Sequence, residues 1–261
     1  METWLGQYCI NVTDLDRTVG FYETLGLTCT SRTDIAEAAE AIIEHPGTGS
    51  KLQLAEQKDR KDGPIQMGTA FWKLYVNTND ISGLYDAAVA AGHTPVMAPE
   101  RMERWPVSIG FLADPDGYQV ELVQRHPWTE GADTATAWLG QYCINVTDLD
   151  RAVTFYETLG LACTSRTEIA QAQEAIIEHP GKGSKLQLAQ QKDQQGPIDM
   201  GSAMWKLYVD TDDIDSLYRT ALDAGCESVM VPERLERWPV TIGFIADPDG
   251  YRVELVERHP W

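Results

Sequence analysis

The stretch WLGQYCINVTDLDR, Trp4 to Arg17, occurs again without a single change as Trp138 to Arg151. An identity of that length inside one chain decides the architecture, because an internal repeat fixes how many times the same fold is built. Working outward, Lys51-Leu52-Gln53-Leu54 returns as Lys185 to Leu188, and Trp72-Lys73-Leu74-Tyr75-Val76 as Trp205 to Val209. Glu103 to Val107 returns as Glu236 to Val240, and both halves close on Arg-His-Pro-Trp, at Arg125–Trp128 and Arg258–Trp261. The register slips by one residue between Lys58 and Gly68, where the first copy has the longer loop. Thr129 to Ala137, small and polar, has linker composition. The sequence therefore reads as a duplicated domain: residues 1–128, a linker at 129–137, and residues 138–261.

Each copy carries a second layer of order. Leu5 to Val12 alternates as a strand does, and Asp14 to Leu25 places Leu15, Val19, Tyr22 and Leu25 on one helical face, with Gly26 as the stop. Two short strands follow, Ala41–Glu44 and Lys51–Ala55, joined by a turn at His45. The order then restarts, with a strand at Phe71–Asn77 and a helix at Ile81–Ala91 behind the cap Asp80. A hairpin, Val107–Leu112 with Tyr118–Val123, turns on Asp114-Pro115-Asp116-Gly117. The chain thus reads as four βαβββ-type modules.

Charge and composition exclude several roles. The net charge is −19 and pI near 4.5, shared between copies: 18 acids to 10 bases through Trp128, then 22 to 11. Such a surface repels phosphate backbones and anionic lipid, so neither nucleic acid nor a membrane is an expected partner. No apolar run nears the roughly 18 residues of a membrane helix, and METWLGQYCINV lacks the features of a signal peptide. Five cysteines, odd in number and without metal-binding spacing, read as buried thiols of a cytoplasmic protein rather than a disulfide framework.

The opening INVTDLDRTVGFYETLGL, and the closing IGFLADPDGYQVELV with its copy IGFIADPDGYRVELV, resemble the glyoxalase I/bleomycin-resistance/extradiol-dioxygenase group, the vicinal oxygen chelate superfamily. The resemblance covers nearly all of both copies. It implies an α+β fold in which four modules form two half-open mixed β-sheet barrels, in a monomer that is an internal pseudo-dimer. If modules exchange between copies, Gln7 and Gln53 face Lys206 and Glu254, while Gln141 and Gln187 face Lys73 and Glu121.

Those eight positions are the ones the resemblance assigns to a metal. Gln7 and Gln141, Gln53 and Gln187, and the final Glu121 and Glu254 suit the family's ligand types. Lys73 and Lys206 stand where the family has His, and a protonated ammonium has no lone pair to give. The reading is therefore that no cofactor is favoured and each lysine neutralises a glutamate. The alternative is Zn, Ni, Mn or Fe held by Gln7, Gln53, Glu121, Gln141, Gln187 and Glu254. Alternation puts Lys73 and Tyr75, and Lys206 and Tyr208, on the polar face of their strands, which either lines a cavity or faces solvent.

The expected activity is that of a glyoxalase-like isomerase or lyase working on a small molecule. Glu121 or Glu254 would move a proton next to a carbonyl, and Lys73 or Lys206 would steady the oxyanion. Glyoxalase I proper holds glutathione with an arginine at the position of Asn11 and Asn145, so glutathione is not expected here. Gln7, Gln53, Gln141 and Gln187, together with Asn11, Asn145, Tyr75, Tyr208, Trp105 and Trp238, are the substrate-binding candidates, the two tryptophans as stacking rings or as core packing. Trp128 and Trp261 read as packing anchors. The alternative function is a bleomycin-resistance-like protein that binds and sequesters a small molecule.

Overall fold

The computed structural model describes residues 1–60, 63–127 and 136–260. The anchor positions Trp128 and Trp261, and residues 129–135 of the expected linker, lie outside them. Copy 1 opens with β1 (Thr3–Asn11), α1 (Leu15–Thr24), β2 (Thr28–Asp34), β3 (Ala38–His45) and β4 (Thr48–Gln57). It continues with β5 (Phe71–Thr78), α2 (Ile81–Ala90), β6 (Thr94–Arg101), β7 (Val107–Ala113) and β8 (Gln119–Arg125). Copy 2 repeats this order: β9 (Ala137–Asn145), α3 (Leu149–Thr158), β10 (Ala162–Glu168), β11 (Ala172–His179) and β12 (Lys182–Gln191). Its last module holds β13 (Met204–Thr211), α4 (Ile214–Asp223), β14 (Glu227–Arg234), β15 (Val240–Ala246) and β16 (Arg252–Arg258).

The strands form two eight-stranded sheets, ordered β14-β15-β16-β13-β1-β4-β3-β2 and β10-β11-β12-β9-β5-β8-β7-β6. Both are mixed, because β5 runs parallel to β8 and β13 to β16 while the hairpins are antiparallel. Four βαβββ modules in an α+β fold are what the repeat predicts.

The chain divides into two compact units. One contains Met1–Cys9, Met67–Phe71 and Cys143–Trp261; the other contains Ile10–Gln66 and Trp72–Tyr142. Each unit is thus largely one copy, carrying most of the other copy's opening strand in place of its own. In the first unit Ser184 Oγ donates to the carbonyl of Gly6, and Asp212 N donates to Glu2 O at 3.3 Å. In the second, Thr136 N donates to Asn79 Oδ1 at 2.8 Å.

Local chemistry explains the elements. Each helix starts on an aspartate whose carboxylate accepts a first-turn N–H, as Asp14 does from Arg17 N at 2.9 Å, which satisfies one of the donors a helix start leaves open. The sheet supplies a second acceptor. Gln124 Oε1 takes the N–H of Ile81 at 3.1 Å and Glu257 Oε2 that of Ile214 at 3.0 Å. Gly26, at φ 78, then turns the chain off α1 through a left-handed conformation open to glycine. In the DPDGY turn Asp114 Oδ1 accepts from Asp116 N and Tyr118 N, each at 2.9 Å. The Tyr118 hydroxyl donates to Asn11 O at 2.7 Å, tying the turn to the end of β1.

Candidate active site

Glu121 sits on β8 between Tyr75 of β5 and Phe111 of β7 in the sheet register. Three residues on, Gln124 faces α2. Because a strand alternates with period two, Glu121, Val123 and Arg125 face away from that helix. Lys73, two residues before Tyr75, shares this face, and its ammonium lies 2.7 Å from Glu121 Oε2 with the side chains 11% and 9% exposed. Three rings surround the ammonium, with centroids 4.3 Å away for Trp72, 5.0 Å for Tyr75 and 5.8 Å for Phe111. A charge held over aromatic faces gains from their quadrupoles.

The other unit builds the same arrangement. Lys206 Nζ is 2.7 Å from Glu254 Oε2, with Trp205, Tyr208 and Phe244 at 4.3, 4.9 and 5.8 Å. Glu257 faces α4, so Glu254, Val256 and Arg258 face away from it. At the end of this face the copies differ. Arg258 Nε donates to Asp210 Oδ1 at 3.0 Å, whereas copy 1 has Asn77 and Arg125 at the matching positions. Gly6 makes room for this carboxylate, since a Cβ there would run into Asp210.

Of the remaining candidates, Gln53 and Gln187 are buried on β4 and β12, each 4% exposed. Gln7 and Gln141 are half-buried on β1 and β9. Asn11 Oδ1 accepts from Gln57 Nε2 at 2.8 Å, as Asn145 Oδ1 does from Gln191 Nε2 at 2.8 Å. Trp105 and Trp238 are half-buried, each beside its neighbouring arginine, with Arg104 Cζ 4.7 Å and Arg237 Cζ 4.6 Å from the ring centroids. Strand alternation puts Trp72 on the opposite face from Lys73, yet its ring reaches the ammonium. Phe111, Phe244 and Asp210 were missed altogether.

Whether the site suits a divalent ion turns on its donors. Glu121 Oε2 and Glu254 Oε2 are buried and, among the described residues, accept no properly angled hydrogen bond beyond the ion-pair contact with their lysines. Among the described residues no cluster of three His, Cys, Asp or Glu exists, so an ion depends on carboxamide oxygens as well. Carboxylate and carboxamide oxygens are hard donors that accept divalent cations. The residues fit, with the ammonium and the ion competing for one carboxylate oxygen.

The glyoxalase/bleomycin resistance protein/dioxygenase superfamily pattern matches residues 4–122 and again 138–255. The chain belongs to this superfamily. Within it, a lactoylglutathione lyase of Arabidopsis thaliana is 27% identical over 95% of this chain and 89% of its own. A Brassica oleracea var. gemmifera relative with a provisional form of that name is 32% identical over 60% of this chain, and the match spans 55% of that relative. The crystal structure of glyoxalase I from Zea mays superposes with a TM-score of 0.86 at 24% identity, covering 98% of this chain and 92% of that one, which shows the fold.

These relatives correct two expectations about this superfamily member. Glutathione was discounted because Asn11 and Asn145 replace an arginine; relatives named for lactoylglutathione overturn that, since a carboxylate can be met by a cation from another strand. No cofactor was favoured because of Lys73 and Lys206. The lactoylglutathione lyase relatives favour the alternative, a divalent ion such as Zn or Ni, and the buried Glu121 and Glu254 carboxylates are the charged donors these residues offer it.

Proposed function

We propose that the chain is a glutathione-dependent lyase of the lactoylglutathione lyase kind, acting on the adduct of glutathione with a 2-oxoaldehyde. The observation that carries this reading is the buried carboxylate–ammonium pair, Lys73 with Glu121 and Lys206 with Glu254, built in both copies. The relatives supply the substrate class.

The adduct has a hydroxyl- and sulfur-bearing carbon next to a ketone. The Glu121 carboxylate takes the proton from that carbon, and the C–H electron pair becomes the carbon–carbon double bond of an enediolate. The former ketone oxygen gains negative charge beside the Lys73 ammonium, which is already fixed by Glu121 and three rings, so little reorganisation accompanies the step. Protonated Glu121 then returns the proton to the neighbouring carbon. The hydroxyl proton moves to the second oxygen, leaving a hydroxyacyl thioester with no oxidant consumed. A divalent ion held by Glu121 and Gln141, or by Glu254 and Gln7, with Gln53 and Gln187 as further donors, would polarise the ketone as a Lewis acid.

The chain works as a monomer with two such centres. Its five free cysteines support a reducing, cytoplasmic setting. Incubating the purified chain with methylglyoxal, with and without glutathione, and following thioester absorbance tests the reading. Product forms only with glutathione if it is right, and glutathione-independent turnover of the aldehyde would refute it.

A further inference from the structure

The two ion-pair faces are identical in residue type until their ends. On β13 and β16 the face runs Lys206, Tyr208, Asp210 and Glu254, Val256, Arg258, with Tyr208 beside Glu254 and Asp210 beside Val256 in register. There Arg258 is held 3.0 Å from Asp210, whose side chain is 4% exposed. On β5 and β8 the same places carry Lys73, Tyr75, Asn77 and Glu121, Val123, Arg125, with Tyr75 beside Glu121 and Asn77 beside Val123. Asn77 is neutral. Among the described residues the Arg125 guanidinium makes no ion pair or side-chain hydrogen bond, and the residue is exposed.

We infer that Arg125 holds a terminal carboxylate of the glutathione arm at the Lys73–Glu121 centre, and that Asp210, by occupying Arg258, denies the Lys206–Glu254 centre that contact. The inference rests on the glutathione reading above. Four residues of strand separate Glu121 from Arg125, about 13 Å at 3.3 Å per residue. An extended tripeptide spans about 10 Å, and an arginine side chain reaching back along the face closes the difference. A planar guanidinium takes a carboxylate in a bidentate grip once no internal acid claims it. Duplication has therefore left two centres with one chemistry and unequal hold on an anionic substrate.

Calorimetric titration of the full chain with S-hexylglutathione, which cannot react, tests this. Wild type shows one tight and one weak site, differing by roughly tenfold or more, as one charge-assisted contact provides. Arg125→Gln removes the tight class, whereas Asp210→Asn converts the weak class into a tight one. Because Asp210→Asn removes a buried acid and can impair folding, Asn77→Asp gives the reciprocal test, and it weakens the tight site. The diethyl ester of S-hexylglutathione, lacking both carboxylates, binds wild type and Arg125→Gln alike. Unchanged binding in Arg125→Gln, or an equal loss for acid and ester, overturns the assignment while leaving glutathione as substrate. No binding of S-hexylglutathione by any form overturns both.

Discussion

Lys73 Nζ lies 2.7 Å from Glu121 Oε2, and both side chains are about nine-tenths buried, 11% and 9% exposed. The contact is a buried ion pair, in which the ammonium offsets the cost of taking the carboxylate out of water. Folding maintains it through the sheet register, with Tyr75 and Phe111 on either side of Glu121.

Breaking the pair from one side strands a charge. Lys73→Ala is expected to lower unfolding free energy by about 3–5 kcal/mol, while Lys73→Met with Glu121→Met recovers most of the loss. Urea denaturation measures both. A single variant no less stable than the double would show that the pair is solvated.

How far this was legible follows from burial. Strands with one buried face alternate, and β1, β5, β7 and β8 were readable for that reason. β2, β6, β10 and β14 lie at the sheet ends; Thr28–Asp34 is mostly exposed along its length, so no apolar period marks it. Lys73 and Glu121 were legible because alternation and the repeat agreed on them. Asp210 was not, although the Asn77-to-Asp210 difference between otherwise matching segments was its signal. Asn11 misled because a missing arginine on one strand says nothing about Arg125 at the end of another.

The lysine also bears on whether a metal can bind. Lys73→His or Lys206→His replaces a competing cation with an imidazole donor, so Zn or Ni should stabilise the variants more than wild type. Thermal melts at graded metal concentration read this directly. Equal shifts in wild type and variants would place the lysines outside the metal's reach.

Burial in the DPDGY turns raises Asp114 and Asp247 to about 7, despite the backbone N–H groups that favour their charge. An unfolded aspartate titrates near 3.9. The fold therefore binds more protons between these values, and this contribution to stability is full below about pH 4 and declines toward pH 7. The decline is up to about 1.4 kcal/mol per pH unit for each group. Asp114→Asn and Asp247→Asn should flatten that slope in urea titrations at pH 5 and pH 8; an unchanged slope would mean the carboxylates are ionised throughout.

The central claim is that Glu121 and Glu254 move the proton. Its most direct test is thioester formation from methylglyoxal and glutathione by Glu121→Gln, Glu254→Gln and the double variant, each confirmed folded by circular dichroism. Each single variant should keep only the other centre's activity. The double variant should fall by about a thousandfold, the usual contribution of a positioned general base. A double variant retaining wild-type turnover would contradict the account.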